Sequence, residues 1–330
     1  MYGLDDLKPT IRVTEDQVEC PKKECKECVK RQRNVFRRED QFRCAKHDIY
    51  ISPSTFEYGR LEDALLYPED LAALKRVFPF KRETKRFARD NSEDALTWNV
   101  FHELGRLNLA APVLSRLLNV PPVPPKMIFW SFDGDANDAW KPLLDARIQF
   151  GEATNENVRR NGTEPDLILL TDQTLIFVEA KLTASNKVPG GKKGIEQTLA
   201  KRKRYVTGGG EWFNQAFASG VSFEQLVRDQ KYELMRNWVL GSWIAKNLGR
   251  SFILVNLVRE GAEQDIEQSF GRYLNQQPDR GFKRLCWEEI FRDPLLAGTG
   301  EAKTLLNHAA KTTIGYRNGT LVKAFAFETA

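Results

Sequence analysis

Histidine is scarce in this chain. His47, His102 and His308 are its three, and none stands in an acid–base constellation with a nucleophile. Hydrolysis through a Ser–His or Cys–His pair is therefore not read from the sequence. No run of apolar residues approaches the roughly 20 that span a bilayer as a helix, so no membrane partner is expected. The opening Met1-Tyr2-Gly3-Leu4-Asp5-Asp6 lacks a basic segment followed by an apolar one, so cytoplasmic residence is the expectation. Charge of one sign is also in short supply: 50 basic against 45 acidic residues leave +5, too little by itself to name a partner.

What is present is a globular composition, 41% hydrophobic and 29% charged over 330 residues, enough for one large domain and a small module. Four of the five cysteines fall early. Cys25-x2-Cys28 and, fifteen residues on, Cys44-x2-His47 have the spacing of two zinc knuckles, each turning two ligands toward one ion. Cys20 is an alternative ligand. Disulfides are the rival reading, disfavoured without an export signal. The segment around these residues is too polar to build its own core, so a structural zinc ion would provide its folding free energy. Cys286, in Leu285-Cys286-Trp287, reads as core.

Two apolar runs, Asp166–Leu170 and Leu175–Val178, flank the polar tetrad Thr171-Asp172-Gln173-Thr174 and read as a hairpin. The second runs on into Glu179-Ala180-Lys181. With the turn centred on Asp172 and Gln173, Leu170 faces Leu175, Asp166 faces Glu179 and Glu164 faces Lys181. Directly opposed carboxylates about 5 Å apart repel, and a divalent cation between them would offset that cost. By strand alternation Glu179 and Lys181 share a face with Phe177.

Pro165-Asp166 followed by Glu179-Ala180-Lys181 on the next strand resembles the signature of the PD-(D/E)xK nuclease superfamily. The resemblance implies an α/β, restriction-endonuclease-like core with a central mixed sheet flanked by helices. It implies magnesium (or manganese) on Asp166 and Glu179, and Lys181 as the group that positions or activates water. It also implies a further carboxylate from a first helix, for which Glu93 is the candidate. Gln230 is a weaker candidate for a polar residue beside the site.

Phosphodiester chemistry fits this set, since magnesium prefers oxygen ligands and commonly uses one or two carboxylates plus water and substrate phosphate. Lys192, Lys193, Lys201, Lys203 and Arg204 crowd downstream and read as nucleic-acid-binding, most simply for DNA. A second basic cluster, Lys30, Arg31, Arg33, Arg37, Arg38, Arg43 and Lys46, reads as a solvated face.

The expected organisation is a zinc-binding module over 1–60, a connection over 61–90 and a nuclease domain over 91–330. Asn91-Ser92-Glu93-Asp94 opens a helix to about Leu107 with Leu96, Thr97, Val100, Phe101 and Leu104 inward. Residues 126–132 and 251–258 read as strands. Residues 230–248 read as a helix with Leu234, Met235, Trp238, Val239, Ile244 and Leu248 inward. Gly190, Gly191 and Gly208–Gly210 read as hinges around a basic helical segment, residues 196–205. The expected function is magnesium-dependent hydrolysis of DNA, with a restriction or phage-defence role implied by the resemblance alone. The alternatives are a catalytically silent nucleic-acid binder on the same fold and a structure-specific or RNA-directed nuclease.

Overall fold

Ser92 starts a helix as its position predicts: its Oγ accepts the Ala95 N–H at 3.1 Å, and Glu93 and Asp94 fill the first turn. In the computed structural model, which describes residues 6–33, 36–152, 162–186, 191–207, 211–275 and 277–326, that helix is Glu93–Arg106. All five of its expected inward residues are buried. Gly190 and Gly208–Gly210 lie outside the described residues.

The chain divides into two compact units. The first comprises residues 1–75, 83–109 and 291–330, the second residues 76–82 and 110–290. These bounds differ from the division drawn on sequence. Residues 291–330 belong with the N-terminal segment because their hairpin, Thr313–Arg317 with Thr320–Lys323, is stitched to it. Ile11 N–H donates to Gly319 O, and Tyr316 N–H to Ser54 O. Gly319 sits at φ 81°, where a Cβ would stand 2.6 Å from Ile11 O, so this approach requires glycine. The first unit also contains a hairpin, Gln17–Glu19 with Cys28–Lys30, and a meander of Arg43–Cys44, Ile49–Ile51 and Phe56–Tyr58.

The second unit is mixed α/β, built on a seven-stranded sheet. Its order is Arg280–Cys286, Ser251–Val258, Thr174–Ala180, Leu167–Leu170, Lys126–Phe129, Phe132–Asp133 and Asp138–Ala139. The first three strands are parallel and the others antiparallel. The hairpin has the register read from sequence, Leu170 opposite Leu175 and Leu167 opposite Val178. Thr171 closes its turn: its N–H reaches Thr174 O at 2.9 Å, and its Oγ1 accepts the Thr174 N–H at 2.9 Å.

The strand expected over 126–132 breaks at Trp130 and Ser131, which both have positive φ (44° and 79°) and reverse the chain into Phe132. Such a turn suits the sheet twist but strains residues other than glycine. Buried side chains hold it. Arg147 donates to Ser131 Oγ at 2.9 Å, and Lys81 lies 4.5 Å from the centroid of the Trp130 ring.

Tyr232–Leu248 is the long helix, and it packs on the sheet face that carries Phe177. Trp238, Phe177 and Phe252 meet there, with ring centroids 5.5–5.6 Å apart. Gly241 admits the closest approach, because a Cβ there would fall 2.1 Å from Phe252. Leu248, expected inward, is 38% exposed. It is the last residue of the helix, which ends where Gly249 turns left-handed. Arg280–Cys286, for which no strand was expected, adds a parallel strand to the sheet. No described helix is long and apolar enough to cross a membrane.

Candidate active site and metal centre

Two groups of chemically capable side chains stand out, one in each unit. In the second unit the site is the end of strand Thr174–Ala180. Beyond the last paired residues, Asp166 N–H donates to Val178 O at 3.1 Å, and its Oδ2 accepts the Ala180 N–H at 2.8 Å. Asp166 thus extends the ladder partly through its own carboxylate, which fixes it beside Glu179. Glu179 is 7% exposed and has both oxygens engaged: Oε1 at 2.6 Å from Lys181 Nζ, and Oε2 accepting from Asn237 Nδ2 at 2.8 Å. Lys181 also lies 3.2 Å from Glu233 Oε2. Burial, then the Glu179 charge, pushes the Glu233 carboxyl above the usual range, and Lys181 opposes this.

The backbone beneath is anchored. Lys181 N–H donates to Leu257 O at 2.7 Å, and Lys181 O accepts from Trp287 Nε1 at 3.2 Å. On the neighbouring strand Asn256 is fully buried at the register position of Glu179. It joins Asn186 and Glu263 in a three-membered network at 2.7–2.9 Å, which ties down the chain leaving Lys181. Glu164 does not play the part expected opposite Lys181. It accepts the Arg82 N–H at 3.0 Å and lies 3.8 Å from Lys81, because the chain has left strand geometry before Pro165.

Sequence reasoning missed Glu233, Asn237 and Asn256. The signal was there as Glu233-x3-Asn237, two polar positions one turn apart on a helix otherwise rich in buried apolar residues, and as one amide inside an apolar strand. Gln230, the weaker candidate, precedes this helix at φ 61°. Glu93 opens a helix of the first unit, whereas Asp166, Glu179 and Lys181 belong to the second.

Arg236 carries positive charge to the site through Glu233, and further cations lie on the segments before it in the chain. Lys192 and Lys193 are exposed on the helix Gly191–Leu199, and Lys203 and Arg204 are exposed in the wide single turn Lys203–Thr207. Lys201 is half-buried, its ammonium 5.5 Å from the Tyr232 ring centroid, with the Arg236 guanidinium at 5.3 Å from the same ring. Burial, then the positive charges of Arg236, Arg204 and Arg82, hold the Lys201 ammonium below its ordinary pKa. The Glu152 charge bears on Lys201, and Glu164 accepts the Arg82 N–H, while Arg204 forms no ion pair with a carboxylate among the described residues. Arg236 is steadied by Thr163 Oγ1 at 2.9 Å and Glu152 at 3.9 Å.

In the first unit Cys20, Cys25, Cys44 and His47 bring their ligand atoms within 4.8 Å of one another. Among the described residues this is the only group of three or more thiol, imidazole or carboxylate ligands so close. His47 Nδ1 is 3.6 Å from Cys20 Sγ and 3.5 Å from Cys44 Sγ, and the Cys25 and Cys44 sulfurs are 3.9 Å apart. Zn–S of 2.3 Å and Zn–N of about 2.05 Å give tetrahedral edges of roughly 3.6 Å for S···N and 3.8 Å for S···S. The group therefore fits a four-coordinate metal such as zinc, and its sulfurs are too far apart for disulfides.

The set differs from the expected one in a single ligand: Cys20 stands where Cys28 was placed. Cys28 begins a strand opposite Glu19 and is partly exposed, its sulfur 3.4 Å from Arg12 Nη2. Cys20 and Cys25 lie in the loop of that hairpin, which curls inward. Lys8 clamps it by donating to Cys20 O and Cys25 O and pairing with Glu19 at 2.6 Å. Burial raises the pKa of the Cys20 and Cys44 thiols and lowers that of His47. A bound cation stabilises the thiolate forms that such ligands need.

Comparison with known proteins gives no match to a family model, to a curated protein or to a solved structure, so the functional reading rests on these residues themselves.

Proposed function

We propose that the second unit is a magnesium-dependent nuclease of the PD-(D/E)xK type on a restriction-endonuclease-like core, acting on DNA, and that the first unit holds a structural zinc ion. One observation carries the reading. Glu179 and Lys181 leave the end of an interior strand with Asp166 fixed alongside by the Ala180 N–H and Glu233 across from them. The Arg236 charge bears on Glu233, and Lys201 shares the Tyr232 ring with Arg236.

The donors are all oxygen, as magnesium prefers; held by Asp166 and Glu179, the ion would supply an activated water and screen charge on the phosphoryl oxygens. The chain's own groups do the remainder. Asn237 fixes the rotation of the Glu179 carboxylate. Lys181 Nζ holds a point charge against a phosphate oxygen or the attacking hydroxide. Glu233, its carboxyl raised above the usual range by burial, pairs through Oε2 with Lys181 and helps to orient that ammonium. Lys201, Arg204 and Arg236 draw in the flanking phosphates.

The test is cleavage of supercoiled plasmid by the pure zinc-loaded protein with and without magnesium. Glu179→Ala and Lys181→Ala should each lower the rate by about 10² or more. Full cleavage by Asp166→Ala or Lys181→Ala would sink the proposal. Duplex, branched, single-stranded and RNA substrates in parallel identify the preferred nucleic acid.

A second reading, a silent nucleic-acid binder, is favoured by one observation: Lys181 and Asn237 already satisfy both Glu179 oxygens, leaving the carboxylate compensated without an ion. Tight binding with no cleavage across metals and substrates would select it.

A further inference from the structure

Arg37, Arg38 and Arg43 of the N-terminal basic cluster pair with carboxylates, whereas Arg31 and Arg33 do not among the described residues. Residues of this cluster wall a cavity of about 820 Å³ within the first unit, with Arg31, Arg33, Arg89, Phe36, Ser52 and Thr55 among its lining residues. Gln32 explains why the arginines point there. It is buried, donates to Ile51 O at 2.9 Å and accepts the Arg37 N–H at 2.6 Å, so the extended segment is pinned through its middle residue. Arg31 and Arg33, one on either side of it, are turned outward.

Each of the two spends one N–H on a backbone carbonyl, Arg31 on Thr14 O at 2.8 Å and Arg33 on Glu15 O at 3.4 Å. Neither has a carboxylate partner among the described residues. Arg89 and Arg38 share one buried carboxylate, Glu57, at 3.3 and 3.4 Å, so that pair also leaves a surplus positive charge. Glu15 is the acidic side chain among the lining residues. The Arg89 guanidinium lies 4.6 Å from the Phe36 ring centroid, a platform with one aromatic and one cationic face.

Convergent guanidiniums with unused donors recognise phosphate, and an aromatic ring among them recognises a base without regard to sequence. We propose that this cavity binds a stretch of single-stranded nucleic acid, Arg31 and Arg33 on successive phosphates and Phe36 under a base. The first unit is then a nucleic-acid contact in its own right, and this inference does not depend on cleavage by the second.

The experiment is fluorescence anisotropy of a labelled single-stranded oligonucleotide with the full zinc-loaded chain, without magnesium, over a series of salt concentrations. Arg31→Ala/Arg33→Ala should weaken binding about tenfold and flatten the log–log salt slope by about 1.4, two contacts at roughly 0.7 each for a single strand. Phe36→Leu should weaken it about fivefold with the slope unchanged. Unchanged affinity and slope in the double variant, with its zinc content and thermal midpoint intact, overturns the proposal.

If that variant loses zinc or midpoint, Arg31→Lys/Arg33→Lys is decisive. The lysine pair should keep the parent slope, and a flattened slope in a folded lysine pair overturns the proposal. Competition by a mononucleotide as strong as by the oligonucleotide would also overturn it, because the site would then take a small phosphorylated molecule and not a strand.

Discussion

The Cys20–Cys25–Cys44–His47 group and the Asp166–Glu179–Lys181–Glu233 group differ first in what lies under them. The thiols sit in short loops and strands of two or three residues, with Cys20, Cys25 and Cys44 nearly inaccessible. The carboxylates sit at the end of a seven-residue strand whose every residue is buried, against a helix of 17 residues. Soft, polarisable ligands thus occupy the region with the thinner apolar core, where a bound ion can supply folding free energy. Carboxylates and a lysine occupy the end of a buried strand, where under the proposed function an ion would act on a ligand from solution. Burial raises the Cys20 and Cys44 thiols and the Glu233 carboxyl alike, and at Glu233 the Lys181 ammonium opposes it.

The comparison breaks most sharply at the metal. Cys25→Ser or Cys44→Ser should abolish a single tightly bound zinc ion and unfold the surrounding loops, an effect on the order of 10 kcal/mol in apparent metal-linked stability. Cys20→Ser should do the same, whereas Cys28→Ser should keep the metal. Elemental analysis with thermal melts checks all four, and loss of zinc in Cys28→Ser alone would restore the ligand set read from sequence. Glu179→Gln should behave oppositely, leaving zinc content and melting intact while cleavage falls by about 10² or more, near 3 kcal/mol of barrier.

A third contrast concerns buried charge. Asp90, in the first unit, is buried and pushed up to about 6 despite hydrogen bonds from the Thr55 and Thr313 hydroxyls. The folded state therefore holds a proton that the unfolded chain, with an ordinary carboxyl near 3.9, releases. The resulting stabilisation is full below that lower value and is lost as pH rises through 6, a change of up to about 3 kcal/mol. Asp90→Asn should accordingly raise the midpoint at pH 7.5, and this gain should shrink by pH 5. A gain that is constant with pH would contradict the assignment. Smallest is the packing test in the second unit: Gly241→Ala drives a methyl into the Phe252 ring and should cost about 1–3 kcal/mol in a denaturant melt.

Much of the second unit was legible in the chain because its signals are local. The Leu170–Leu175 register followed from the turn tetrad and the lengths of the two apolar runs. The Ser92 cap and the apolar stripe that follows it fixed one helix to within a residue. The placing of Lys181 and Glu179 together at a strand end was legible because the apolar run that precedes them marks the strand. Cys28 misled because the two-residue spacing to Cys25 is a strong local signal, yet its pairing opposite Glu19 holds it at the surface, and Cys20 curls inward in its place. Glu233 and Asn237 were illegible for a related reason. Which turn of a long helix meets a strand end depends on how that helix lies on the sheet, and here the close approach at Gly241 helps to set it.

The sequence by itself determined the elements, the hairpin that carries Glu179 and Lys181, and the kind of ligand each region offers, since these depend on side-chain chemistry and on neighbours a few residues away. The tertiary structure alone decided that Cys20 completes the thiol group, that residues 291–330 join the N-terminal segment, and that Glu233 and Asn237 stand against the strand end. Those choices turn on contacts between residues far apart in the chain, and no local spacing encodes them.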